Sequence, residues 1–168
     1  MPDLHTDRFP FLLEDDGFLK IRSEIALKYY NSCIHSSQND CIDSFLGFLK
    51  QKPSEHKLAF EAGRATTFIY FHRNALPFYL MALENSKNSD YCNDDRLPLA
   101  VANAVPMATE QLGSMGMKIA RDYCYPQVKN SLVSILEKYE GHSPHLKPIC
   151  DLLKSKGDLS KNIATKCM

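Results

Sequence analysis

The 168-residue chain has no tryptophan, no Cys-x-x-Cys pair, no Asn-x-Ser/Thr acceptor and no net charge, its 20 Lys and Arg being matched by 20 Asp and Glu. Without a basic excess it lacks the charge that a phosphate backbone attracts, which argues against nucleic acid as a partner. No run approaches the ~18 apolar residues of a membrane span; the apolar stretch from Ala75 to Leu83 is bounded by Arg73 and Glu84. The first seventeen residues carry Asp3, Asp7, Glu14, Asp15 and Asp16 around a short apolar patch, unlike a secretory signal or an Arg-rich transit peptide. No GxSxG, HExxH, Walker loop, GxGxxG or catalytic Cys/His signature occurs, so the sequence assigns no catalytic residue and no cofactor. An enzyme would need an arrangement visible only in three dimensions.

What the chain does have is 44% hydrophobic and 24% charged residues, the balance of one globular domain spanning 1–168. A domain of this length buries roughly two thirds of the surface of its unfolded chain and needs no staple. Cys33, Cys41, Cys92, Cys124, Cys150 and Cys167 are scattered over the whole length. With no export signal, that scatter predicts reduced, mostly buried thiols in a cytoplasmic protein, three disulfides being the alternative.

Apolar residues recur at helical spacing and no strand alternation is found, so the fold is expected to be all-α, with seven or eight helical pieces around a central apolar helix at about Glu55–Asn74. Phe18, Ile21, Ile25, Tyr29 and Cys33 fall on one face of a first helix capped by Asp15 or Asp16. Ile42, Phe45, Leu46 and Leu49 mark a second, which Asp40 can cap and Pro53 stops. The central helix carries two apolar stripes, Leu58, Ala62, Ala65 and Ile69 on one and Phe60, Phe68 and Phe71 on the other, a pattern of burial on both sides. Pro77 is expected to begin a further piece, Leu76–Glu84. Residues 85–96 are rich in turn formers and read as a flexible loop. A helix from Leu97 to Ile119 is expected to break at Pro106, another begins at Pro126 and stops at Gly141, and a helical tail at 147–168 breaks at Gly157, with Asp158 free to cap its last piece. The tail is expected to dock through Ile149, Leu152, Leu153 and Ile163.

Residues 1–114 hold 11 basic and 15 acidic side chains, residues 115–168 hold 9 and 5. Lys154, Lys156 and Lys161 in the tail could therefore meet an acidic partner. Arg64 stands among Phe60, Phe68 and Phe71 at helical spacing, and a guanidinium there needs a carboxylate, a ligand anion or the solvent edge; Glu61, Glu110 and Asp122 are the candidates for pairing. His72, in register with Leu58, Ala65, Ile69 and Leu76, could line a pocket with Tyr70 and Tyr79 or serve as a core histidine. His142, His145, Cys124 and Cys150 are zinc-ligand types without the paired spacing of a zinc site, and Asp90, Asp94 and Asp95 match a calcium loop in composition alone. No metal site is assigned.

The stretch GRATTFIYF, Gly63 to Phe71, resembles part of the first homology motif of the B-cell-lymphoma family of apoptosis regulators, and EIALKYY, Glu24 to Tyr30, is faintly similar to the first helix of that family. The resemblance covers 16 residues; Glu61 and Ala62 stand where the family has Asn-Trp, and the Trp-containing second motif is absent. It implies a groove in which Arg64 meets an acidic residue of an amphipathic partner helix. The expectation from the whole sequence is a protein-interaction module, an adaptor, chaperone or effector, that binds another protein through Arg64, Phe68, His72 and the tail lysines. The alternatives are a small-molecule or cofactor binder gripping an anion with Arg64, and a protein resembling the apoptosis regulators.

Overall fold

The computed structural model describes residues 19–35, 38–69, 71–107, 110–139 and 146–167. Among them are nine α-helices and no strand, the all-α class that the periodicity predicts with more helices than the seven or eight expected. By backbone proximity the chain divides into two compact units, 1–87 and 88–168.

The first unit contains α1 (Leu19–Ile34), α2 (Gln38–Lys50), α3 (His56–Phe68) and α4 (Leu76–Ser86). Its core is aromatic. Tyr30 of α1 stacks on Phe45 of α2 with ring centroids 4.7 Å apart and meets Phe78 of α4 edge-on at 5.5 Å. Burying these rings supplies the largest apolar areas a side chain can offer. Two consecutive threonines of α3 fix the tyrosines: the Thr66 hydroxyl donates to the Ala62 carbonyl, so its bond with the Tyr30 hydroxyl at 2.6 Å has tyrosine as donor, each hydroxyl having one proton to give. By the same argument Thr67 donates to Arg64 O and accepts from the Tyr79 hydroxyl. Burial pushes the Tyr30 hydroxyl well above the ordinary tyrosine pKa, and the bond to Thr66 only partly opposes it. Gly63 lets α3 and α4 approach, since a Cβ there would lie 2.7 Å from the Tyr79 ring.

Four expectations for this unit change. Asp40, expected to cap α2, lies inside its first turn, since the helix begins at Gln38. The helix expected at Glu55–Asn74 ends at Phe68 and is followed by a 3-10 turn at Arg73–Ala75 before α4, with Pro77 in the first turn of α4 as anticipated. Phe68, assigned to a buried stripe, is 67% exposed. On α1 the inward face is Ala26, Tyr30, Cys33 and Ile34, whereas Ile25 and Tyr29 are exposed; the expected face is displaced by one residue, about 100° of rotation. The Asp15 or Asp16 cap and the Gly141 stop lie outside the described residues.

The second unit contains α5 (Arg96–Ala104), α6 (Gln111–Asp122), α7 (Tyr125–Lys138), α8 (Lys147–Ser155) and α9 (Lys161–Ala164). The break expected at Pro106 is a 3-10 turn, Val105–Met107. The segment read as a flexible loop holds a further 3-10 turn, Ser89–Asn93, whose Asn88 side chain accepts from Asp90 N and whose Cys92 is fully buried. The tail docks as expected: Ile149, Leu152, Leu153 and Ile163 are all buried. Gly157 takes φ +74° and ends α8, with Asp158 N donating to Leu153 O and Gly157 N to Lys154 O, the paired bonds of a left-handed glycine stop. Asp158 does not cap α9; that place falls to Ser160.

The cysteines overturn the expectation of reduced thiols. All six are paired: Cys33 with Cys41, Cys92 with Cys124, and Cys150 with Cys167. Their Cα separations of 5.8, 5.3 and 5.7 Å lie within the range a disulfide requires. Each bond stays within one unit. The first joins the end of α1 to the start of α2, the second ties the Ser89–Asn93 turn to the residue before α7, and the third fastens the end of the chain to α8.

Candidate functional site

The residues singled out from the sequence fall into two groups, one in each unit. Arg64, Phe68 and His72 belong to the first, Lys154, Lys156 and Lys161 to the second. Arg64 and Phe68 are four residues apart on α3 and therefore share a face. Arg64 Nη1 donates to Glu61 Oε2 at 3.3 Å, the first of the three carboxylates foreseen for it; both side chains are about one-third exposed, so solvent screens the pair. His72 is partly buried just beyond α3. Tyr70, its suggested neighbour, lies outside the described residues, as do His142 and His145.

Because the Arg64–Glu61 pair is screened, Arg64→Ala should cost about 1 kcal/mol or less. The alternative of a deeply buried ion pair carries about 3–5 kcal/mol for the loss of one partner. Chemical denaturation of the single variant separates the two, and a loss above about 3 kcal/mol would place the guanidinium inside the core.

Phe68 does not stand alone on the first unit. Ile25 is 45% and Tyr29 43% exposed, and these two, four residues apart on α1, form one outward apolar strip. The sequence reading missed this strip by turning it inward. The neighbouring repeat Ala26, Tyr30, Ile34 was the available signal: it has the same spacing and begins with a residue small enough to let another helix approach.

In the second unit the three tail lysines are exposed. Lys156 Nζ sits 5.2 Å from the centre of the Tyr125 ring, an arrangement attractive through the ring quadrupole. The Tyr125 hydroxyl donates to Asp158 Oδ2, and Lys129 Nζ bonds Asp158 Oδ1 at 2.8 Å. These contacts latch α7 to the turn after α8. The bond from Lys129, then that from Tyr125, holds the Asp158 carboxyl below the usual aspartate range. The Tyr125 hydroxyl is pushed above its ordinary value, first by desolvation and then by the Asp158 bond and charge.

The depressed Asp158 value stabilises the fold above the ordinary aspartate pKa of about 4, and that stabilisation is lost as pH falls through the folded value. The raised Tyr125 value stabilises it below the ordinary tyrosine pKa of about 10 and is lost as pH rises. The latch is therefore complete between about pH 4 and pH 10. In melting experiments the deficit of Asp158→Asn relative to wild type should be constant across this window and shrink at lower pH; a deficit that grows on acidification would contradict the latch.

A cleft of about 370 Å³ lies between α6 and α8, with Met117, Pro148 and Leu152 as its apolar lining and Arg121 and Asp151 at its rim. Arg121 is engaged by Asp122 through two bonds of 2.9 and 3.2 Å, and Asp151 by Lys147 at 2.8 Å. Both charges at the rim thus already have counter-ions. Among the described residues no His, Cys, Asp and Glu side chains gather in a metal-holding group, and no helix is long and apolar enough to cross a membrane. Compared with family models, curated proteins and solved structures, the chain finds no match.

Proposed function

We propose that this protein is a disulfide-stapled, all-α interaction module that works in an oxidising compartment and binds another protein without chemistry of its own. The observation that carries the reading is Phe68, 67% exposed at the end of a helix whose unit is closed by its own disulfide. Exposed aromatic side chains are expensive to leave in water and are enriched at the centres of protein interfaces. Ile25 and Tyr29 form a second exposed apolar strip, on α1, and Arg64 shares the face of Phe68 on α3.

The compartment follows from the cysteines. Disulfides persist where thiols are not kept reduced, so the cytoplasmic expectation loses the reduced thiols on which it rested. Lys154, Lys156 and Lys161 contribute at longer range, attracting a partner of acidic surface and raising its rate of encounter. His72, just beyond α3, is assigned to the same contact.

The test is capture from the protein's own source fluid under non-reducing conditions, with wild type beside Phe68→Ser. Wild type should retain one discrete, saturable protein, and the variant should retain about tenfold less or lower, the loss of a central aromatic contact. Equal retention by the two would remove the contact from α3. Wild type returning a small molecule and no protein would favour the ligand-binding alternative.

A further inference from the structure

We propose that the Cys150–Cys167 bond is a redox-sensitive clasp, whose reduction releases residues 159–167 from the second unit while the other two disulfides stay closed. The proposal rests on the disulfide reading above, and not on the apolar surface of the first unit.

The three bonds differ in access. Cys41, Cys92 and Cys124 have no exposed surface, Cys33 is 7% and Cys150 4% exposed, whereas Cys167 is partly open to solvent. Thiol–disulfide exchange needs a thiolate to reach one of the two sulfurs, so access sets which bond reacts first. A buried bond reacts only after local or global unfolding has exposed it.

The last part of the loop that the bond closes holds itself poorly. The α9 helix has four residues, far below the length at which an isolated helix persists in water, and Ile163 is the buried apolar side chain it contributes. A second tie is Lys166, whose Nζ donates to the carbonyls of Glu137 and Tyr139. There the ammonium satisfies carbonyls left open at the end of α7 and lies at the negative end of that helix. Among the described contacts, cutting the bond leaves buried Ile163, half-buried Leu159 and the Lys166 cap to hold this segment, and their loss uncovers the site of Ile163.

The reductant is a dithiol of the Cys-x-x-Cys type. Its thiolate attacks Cys167 Sγ, the bond to Cys150 breaks and Cys150 leaves as a thiolate. The second thiol of the reductant then attacks the mixed disulfide and displaces Cys167. Two electrons pass to the protein, the two protons of the dithiol end on Cys150 and Cys167, and the reductant becomes a disulfide.

The full-length oxidised protein is treated with graded dithiothreitol, quenched in acid and alkylated with a light label, then fully reduced and alkylated with a heavy one, and each cysteine is read by peptide mass spectrometry. Cys150 and Cys167 should react together, at least about tenfold faster than the other four. Amide exchange of residues 161–167 and of the last turn of α7 should accelerate to the same extent, and the doubly substituted Cys150→Ser, Cys167→Ser protein should show that exchange without reductant. Cys33–Cys41 or Cys92–Cys124 opening first, or exchange unchanged once Cys150–Cys167 is cut, would overturn the clasp. Six thiols already free in the starting protein would overturn the disulfide reading itself.

Discussion

Replacing Cys92 and Cys124 together by alanine should destabilise the second unit by about 3.7 kcal/mol. The bond closes a loop of 32 residues, and the chain-entropy released to the unfolded state by opening a loop of that size is worth about that much at 25 °C. It also joins the turn at Ser89–Asn93, which has little apolar surface of its own, to the start of α7. Urea denaturation followed by circular dichroism measures the loss, and amide exchange in α5 and α7 assigns the transition to this unit. The denaturant slope should rise as well, because the unfolded chain expands when the cross-link is gone. A change below about 1 kcal/mol would mean that the bond constrains neither state.

The helical architecture was legible because it is written at short range. Ile42, Phe45 and Leu49 repeat at the spacing of one helical face and are buried together on α2, and Ile149, Leu152 and Leu153 do the same on α8. The first helix shows where that signal ends. Ile25 with Tyr29 and Ala26 with Tyr30 have the same spacing, and the more hydrophobic pair is the outward one. What decides between them is the close packing of α1 against its neighbours and the bond from Tyr30 to Thr66, 36 residues away.

The disulfides were illegible for a related reason. Six cysteines admit 15 pairings, and no local spacing selects the partners 32 or 17 residues apart. Asp158 was read as a cap for the helix after it, whereas it serves Tyr125 and Lys129, both distant in sequence. Of the candidate site, Arg64 and its partner Glu61 were visible because they lie one turn apart. The exposure of Phe68 was not, since it depends on where α3 stops.

The second large effect is expected at the aromatic centre of the first unit. Phe45 has no exposed surface and among the described residues touches the rings of Tyr30 at 4.7 Å, Phe48 at 5.6 Å and Phe78 at 6.2 Å between centroids. Phe45→Ala removes the ring and leaves a cavity that three helices cannot close without moving, at a cost of about 3–5 kcal/mol. Phe68→Ala makes the same chemical change on an exposed side chain and should alter stability by no more than about 0.5 kcal/mol. The contrast, read by chemical denaturation of the two variants side by side, separates scaffold from surface. Similar losses in both would mean that Phe68 is buried in solution and that the proposed contact surface does not exist.

The account depends most on the state of the cysteines, from which the compartment, the stapling of each unit and the clasp all follow. The direct measurement is alkylation of the natively produced protein without reductant, followed by proteolysis and mass spectrometry of the cross-linked peptides. No alkylated cysteine is expected, together with three linked pairs: Cys33 with Cys41, Cys92 with Cys124, and Cys150 with Cys167. Six alkylated thiols, or any linkage that joins a cysteine of the first unit to one of the second, would contradict it.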